Sequence, residues 1–271
     1  MKHIMDGSRK QDVICLGDQI TYGMRKEWGS STWRPLKLSL MGTRQHWSYD
    51  PQKRLPLIIW LCGGGFTHVD VNVWMPELVY FAERGYVIAS IEYSTTPNTV
   101  YPQQLDDIAE AIRFLAAHAD EFHIDLSRCA IMGESAGAYL AGLTALTWGQ
   151  VRTCDETAAE TCAISIKAAV LLYPPVALGE LPGTPVINAI MKGAPDLTDL
   201  ITGSAPPVFI AHGMSDNLIP YTQSEHLYEA LEQKGIESEL YLIRDCDHAD
   251  SPVFQLPVKE LIAGFLAAHT L

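Results

Sequence analysis

Cys129-Ala130-Ile131-Met132-Gly133-Glu134-Ser135-Ala136-Gly137 is the stretch whose reading decides the fold. An apolar run of strand length leads into the serine, and a run of small and apolar residues from Ala138 to Thr147 leads out of it as a helix. Between them stands G-x-S-x-G, the nucleophile elbow, which projects a serine from a sharp strand-to-helix turn. Glycines two positions to either side keep that turn clear of side chains that would collide. The stretch therefore predicts both a buried strand feeding a helix and an exposed nucleophile at Ser135.

Upstream, Leu57-Ile58-Ile59-Trp60-Leu61 reads as a buried parallel strand that ends in Cys62-Gly63-Gly64-Gly65-Phe66. A glycine triplet after a strand makes a tight turn. Beside a nucleophile it has a further use, because acyl transfer places negative charge on a carbonyl oxygen that unobstructed backbone N–H groups can meet. Gly64, Gly65 and Ala136 are the candidate oxyanion donors. Downstream, Val208 to Gly213 reads as a strand, with Asp216 in the loop after it and a helix from Tyr221 to Lys234. Glu237 to Ile243 alternates as another strand, and His248 lies in the polar loop that follows. Ser135, Asp216 and His248 thus occur in the chain order of nucleophile, acid and base on successive loops of a parallel sheet. Asp245, Asp247 and Asp250 are rivals for the acid, but side chains so near His248 usually turn or cap their own loop. His212 reads as a loop brace, His226 and His269 as solvated helix residues, and Glu134 as a hydrogen-bonding or ion-pairing group beneath the site. Asp106, Asp107 and Arg113 read as a surface or inter-element ion network.

From about Leu55 to the C-terminus these residues resemble the α/β-hydrolases of the hormone-sensitive-lipase-like carboxylesterase group, near the branch that contains acetyl-xylan and feruloyl esterases. The matching segments are Gly63-Gly64-Gly65, Ile91-Glu92-Tyr93, Pro102-Gln103-Gln104-Leu105-Asp106-Asp107, Gly133-Glu134-Ser135-Ala136-Gly137, and His212-Gly213 ahead of Asp216. One position departs: the group usually carries His before its glycines, and here Cys62 stands there. The resemblance implies a serine carboxylesterase that acts on short-chain or small aryl esters through an acyl-enzyme on Ser135, with no metal or organic cofactor. Acetyl-xylan or feruloyl ester hydrolysis is one alternative, and an arylformamidase-like amide hydrolase is another. A non-catalytic ligand-binding protein of the same fold is a third, against which the complete triad argues. Phe66 and His68 should border the substrate entrance.

Composition agrees with such an enzyme. A chain of 271 residues with 48% hydrophobic content can bury one large core, so residues 1–271 are expected to form one domain. The net charge of −13 and the lack of a Lys/Arg cluster argue against nucleic acid or an anionic membrane as partner and for a small neutral ester. An edge strand or an apolar surface would suit a homodimer. No apolar leader opens the sequence and no stretch approaches the roughly 20 apolar residues of a membrane span, so the expected location is cytoplasmic. The six cysteines lack zinc spacing and are read as reduced; only Cys154 and Cys162 share a polar loop in which they could pair.

Two short strands near Val13–Leu16 and Ile20–Tyr22, then one at Leu36–Met41, precede Leu57 without an intervening helix. They predict an antiparallel N-terminal edge on a mostly parallel central sheet with helices on both faces. The last helix is expected over Pro252–Ala268. Seven prolines between Pro174 and Pro207 forbid long helices there, so residues 174–206 form either a short lid, with Val186, Ile187, Ile190 and Met191 lining a pocket, or a packed connector. No helical cap precedes Leu57, which predicts a minimal lid and an open site. Trp28, Trp33, Trp47 and Trp74 either line a ring-binding subsite or pack structurally.

Overall fold

The protein is represented by a computed structural model that describes residues 1–4, 13–44, 52–151, 164–181 and 185–271. Eight strands form one sheet: β1 Ile14–Lys26, β2 Trp33–Thr43, β3 Leu55–Leu61, β4 Val87–Ile91, β5 Ile124–Glu134, β6 Ile166–Leu172, β7 Val208–Gly213 and β8 Ser238–Ile243, in the spatial order β1-β2-β4-β3-β5-β6-β7-β8. The pairs β1·β2 and β2·β4 are antiparallel, and every pair from β4·β3 to β7·β8 is parallel. Helices α1 Met75–Ala82, α2 Gln103–Ala117, α3 Ala136–Val151, α4 Pro185–Ile190, α5 Thr222–Gln233 and α6 Val258–Thr270 connect or follow them.

β3 shows why the sheet is buried on both faces. Its residues alternate between two cores: Leu57, Ile59 and Leu61 join one with Ile108, Ile112 and Leu115 of α2, Leu140 of α3 and Leu227 of α5. Ile58 and Trp60 join the other with Leu78 and Phe81 of α1 and Ile262 and Phe265 of α6. A period of two along a fully apolar strand is what a sheet covered on both sides requires. The chain leaves β3 toward β4 and returns to β5 on the other side of β3. Loops after β3 and β5 therefore diverge at the carboxyl edge, where such reversals open a crevice.

Two expectations change and one resolves. The two short N-terminal strands are one strand, β1, which absorbs irregularities at Gly17/Ile20 and Thr21/Gly23 as bulges, with Gln19 at φ +61°. The last helix starts at Val258, because Pro257 cannot continue an earlier turn and Ser251–Phe254 makes a separate 3₁₀ turn. For the ion network the structure selects the inter-element reading for Asp107, which is fully buried and accepts from Arg25 Nε of β1 at 2.5 Å and from the Ser94 N–H at 2.7 Å, while Asp106 and Arg113 are exposed. Asp107 thus fastens the edge strand and the end of β4 to α2.

Between β6 and β7 the chain makes a 3₁₀ turn at Leu178–Glu180, the short α4 and another turn at Leu197–Leu200. It is tied down by the Tyr139 hydroxyl donating to the Pro195 carbonyl at 2.6 Å, the Tyr101 N–H to Ile190 at 3.0 Å, and buried Leu197. No described helix is long and apolar enough to cross a membrane.

Candidate active site

The elbow folds as the glycine spacing demands. Ser135 sits at φ +52°, its N–H donates to the Leu172 carbonyl of β6 at 3.0 Å, and its own carbonyl accepts the Tyr139 N–H at 3.1 Å to start α3. A positive φ is costly for serine and is held here by bonds on both sides. A β-carbon at Gly137 would collide with the Leu61 and Cys62 carbonyl oxygens, so glycine there lets α3 begin directly against the end of β3. That close approach brings the nucleophile beside the glycine loop.

The loops after β7 and β8 complete a line of three side chains. Ser135 Oγ is 3.0 Å from His248 Nε2, and His248 Nδ1 donates to Asp216 Oδ2 at 2.7 Å. Asp216 is buried and fully bonded: Oδ1 accepts the N–H groups of Leu218 and Ile219 at 2.9 and 2.7 Å, and His212 Nε2 lies 3.2 Å from Oδ2. Burial alone would raise its pKa, but the bonds from His212, His248 and Ile219 outweigh it and hold the carboxyl well below its ordinary value. Asp216 is therefore ionised and fixes the imidazole with its proton on Nδ1, leaving Nε2 to accept from Ser135. His212 braces that carboxylate. Its Nε2 also meets the Ile219 carbonyl at 3.0 Å, so Nε2 carries the proton and Nδ1 accepts the Ser224 hydroxyl at 2.7 Å.

The rival aspartates have other work. Asp247 accepts from Asn217 N–H and from its neighbour His248 N–H, at 3.0 and 2.7 Å, and so ties the acid loop to the base loop. Asp250 caps the 3₁₀ turn through Ser251 N–H at 2.7 Å. Asp245 occupies a left-handed turn at φ +51°.

Gly64, at φ +128°, turns the loop after β3; its carbonyl accepts from Thr67 and His68, and a β-carbon on it would strike the His68 carbonyl oxygen. Gly65, Phe66, Ser135, Ala136, Pro175, Leu181, Ile187, Leu218 and Ile219 line one apolar cavity of about 60 Å³ at the nucleophile. Of the expected oxyanion donors, Gly65 and Ala136 border this cavity and Gly64 does not. Of the expected substrate contacts, Phe66 lines it and exposed His68 lies outside it. Gly63 spends its N–H on the Glu134 carboxylate. At the departing position, Cys62 is buried, receives the Trp60 indole N–H at 3.1 Å, and has its carbonyl held by the Tyr93 hydroxyl at 2.6 Å. Burial pushes that thiol up to about 12, so it is a packing group and not a second nucleophile.

The described residues of 174–206 contribute to both the cavity and the core. Pro175, Leu181 and Ile187 line the cavity, while Ile190 and Met191 are buried in the core. Gln223 of α5 holds the first turn of this segment by accepting the N–H groups of Val176 and Ala177 at 2.7 and 2.9 Å. The Val186 side chain, Trp47 and the pair Cys154 and Cys162 lie outside the described residues; Cys15, Cys62, Cys129 and Cys246 are free thiols. Trp28 and Trp33 are exposed, and Trp74 stacks on Phe254 with centroids 4.0 Å apart. Leu218 and Ile219 were not singled out by the sequence, although two apolar residues directly after a catalytic-type Asp-Asn pair are a signal that they face a pocket.

The chain is similar to known proteins. The "Probable carboxylic ester hydrolase LipM" of Mycobacterium tuberculosis is 26% identical over 93% of this chain and 58% of its own length. The chain spans about half the length of the curated relatives it matches. Among solved structures, a "Truncated form of carbohydrate esterase from gut microbiota" superposes with a TM-score of 0.75 at 17% identity, over 96% of this chain and 98% of that one. Thermogutta terrifontis esterase 2 phosphorylated by paraoxon gives 0.75 at 23% identity, over 93% and 94%. These likenesses show the α/β-hydrolase fold. The BD-FAE family model matches residues 47–231, more than half of the chain and all of it from before the glycine loop to beyond Asp216, and the chain belongs to the BD-FAE family.

Proposed function

We propose that this chain is a serine carboxylic ester hydrolase that prefers short acyl groups. The observation that carries the reading is the bonded line Asp216–His248–Ser135 opening into an apolar cavity of about 60 Å³. A cavity of this size beside the nucleophile suits a short acyl tail better than a long one.

His248 Nε2 takes the Ser135 proton as Oγ bonds to the ester carbonyl carbon, and the carbonyl π electrons move onto oxygen. Asp216 keeps the imidazolium oriented and stabilised. The oxyanion is met by backbone N–H groups of Gly65 and Ala136, with Gly64 shaping the loop; removing one such donor typically costs about 10²–10³ in rate. The tetrahedral intermediate collapses as the imidazolium returns its proton to the leaving alcohol. Water, deprotonated by the same His248, then attacks the acyl-enzyme and releases the acid and free Ser135.

A second specification concerns the alcohol. A polar groove of about 550 Å³, lined by Gln19, Arg34, Lys37, Asp70, Asn72 and Glu92 among others, opens at the same edge of the sheet, where β2 starts and the glycine loop continues. Mixed donors and acceptors of both charges suit a hydroxyl-rich alcohol, as in an acetylated carbohydrate. A hydroxycinnamoyl group fits a small cavity at Ser135 less well than an acetyl group, so feruloyl esters are expected to be poorer substrates than acetyl esters. Acetate release from acetylated xylo-oligosaccharide, compared with ferulate release from methyl ferulate, tests both statements. Faster ferulate release would reverse the acyl assignment.

A further inference from the structure

Glu134 ends β5 one residue before the nucleophile, and its side chain is buried beneath the site. Its Oε1 accepts two N–H groups: that of Gly63, the first glycine after β3, and the Trp74 indole at 3.1 Å. On its other side lies the buried Tyr173 hydroxyl, close enough for the carboxylate charge to act on it. The Tyr173 ring stands edge-on to the His248 imidazole, with centroids 4.9 Å apart and planes at 68°. One carboxylate is therefore bonded to the glycine loop and set behind the ring of the base.

The charged neighbourhood is one-sided. Facing Glu134 are the Cys62 thiol from the loop after β3, Tyr93 after β4, Tyr173 after β6 and His248 after β8. Asp216 and Asp247 meet His248 from the acid loop and from its own loop. Of the groups facing Glu134, only His248 can become a cation, and in the mechanism above it does so once it holds the Ser135 proton. Two N–H donors on one oxygen match an ionised, acceptor-only carboxylate. Burial pushes the Glu134 carboxyl up from its ordinary value, with the Gly63 and Trp74 bonds acting against that rise.

We propose that Glu134 is a positioning residue with two tasks: it clamps the oxyanion loop through the Gly63 N–H, and it supplies a second negative charge, beside Asp216, toward the His248 imidazolium. The inference rests on the ester-hydrolase reading. Because Glu134 and Tyr173 are buried, the attraction of this carboxylate for a forming imidazolium is screened less than it would be in bulk solvent, and it lowers the barrier. The clamp adds order where the oxyanion forms.

Glu134→Gln separates the two tasks, because the amide oxygen can keep both N–H bonds while the charge is lost. With p-nitrophenyl acetate the expected result is kcat lower by about tenfold, the effect of one pKa-unit equivalent of charge interaction, and KM within about twofold. The acid limb of kcat/KM moves to lower pH, since a protonated base is less favoured without the second anion. An unchanged kcat and acid limb overturns the proposal. So does a lower kcat with the acid limb in place, which is what a merely structural role gives. Trp74→Phe is the companion variant, and it decides the matter if Glu134→Gln does not fold. It removes one N–H that favours the ionised carboxyl, so Glu134 takes up a proton more readily and the acid limb must move to lower pH, in the direction of Glu134→Gln; a limb that stays or moves to higher pH contradicts the proposal. The wild type and Ser135→Ala run alongside. Absence of Ser135-dependent turnover overturns the ester-hydrolase reading and this inference with it, whereas a working wild type with an unmoved Glu134→Gln profile overturns this inference alone.

Discussion

The nucleophile elbow and the excursion between β6 and β7 meet at the same cavity, yet they are built in opposite ways. In the elbow, Gly133 to Ala141 are buried, Ser135 is bonded to β6 and α3, and Gly137 lies against the end of β3. The described residues of the excursion form one helix of six residues and two 3₁₀ turns, fastened at points that include Tyr139, Tyr101 and Gln223. Groups that must hold a reacting atom in place stand on ends of strands and helices. Groups that decide what fits beside it stand on a connection that tolerates change.

If that division holds, damage to the elbow side should appear in kcat and damage to the excursion in selectivity. Ser135→Ala is expected to lower kcat by about 10⁶ while the fold, read by circular dichroism, is retained. Asp216→Asn is expected to cost about 10⁴, because Asn can impose the wrong imidazole tautomer. Near-full activity in Asp216→Asn would reassign the acid to another group. Ile187→Ala, on the excursion, should raise the octanoate-to-acetate ratio of kcat/KM by about tenfold, the worth of a few methylenes in an apolar pocket, with acetate turnover little changed. A loss of kcat on acetate as large as that of an elbow variant would break the comparison.

Smaller effects sharpen it. Asp247→Ala frees Asn217 and the His248 backbone from each other, and kcat should fall only about three- to tenfold with KM unchanged, because Asp216 still holds the ring. Acid stability supplies the last test. The Asp216 carboxyl has a depressed pKa in the folded state, so its contribution is present above the unfolded carboxylate range and is lost as pH falls toward the folded value. Urea denaturation between about pH 6 and pH 3 should therefore show a shallower acid-side decline in Asp216→Asn than in the wild type. Parallel curves would mean that the His212 and His248 bonds do not stabilise the charged carboxylate.

Much of this was legible in the sequence because local patterns and tertiary demands coincide. Leu57–Leu61 is apolar throughout, and only a strand covered on both faces uses such a run. Ser135, Asp216 and His248 could be placed on successive loops because each follows an unmistakable strand. Asp107 could be read only as a surface or inter-element ion group, since its partner Arg25 is distant in sequence and nothing local announces that a carboxylate at helical spacing will be buried. β1 was split in two because Gly17-Asp18-Gln19 has turn composition, and only pairing with β2 shows that the strand continues through a bulge. His68 reads as a substrate contact from its place after the glycine loop, and the structure leaves it exposed and outside the lining of the cavity at Ser135. Which apolar side chains between Pro174 and Pro206 face the cavity was beyond pattern reading, because prolines exclude long helices without saying which side chains turn inward.

The most direct test of the central claim is the set of initial rates on p-nitrophenyl acetate, butyrate and octanoate at one enzyme concentration, with Ser135→Ala as the blank. The account predicts turnover that vanishes in Ser135→Ala and falls steadily from acetate to octanoate. Turnover that survives in Ser135→Ala, or that is as fast on octanoate as on acetate, would contradict it.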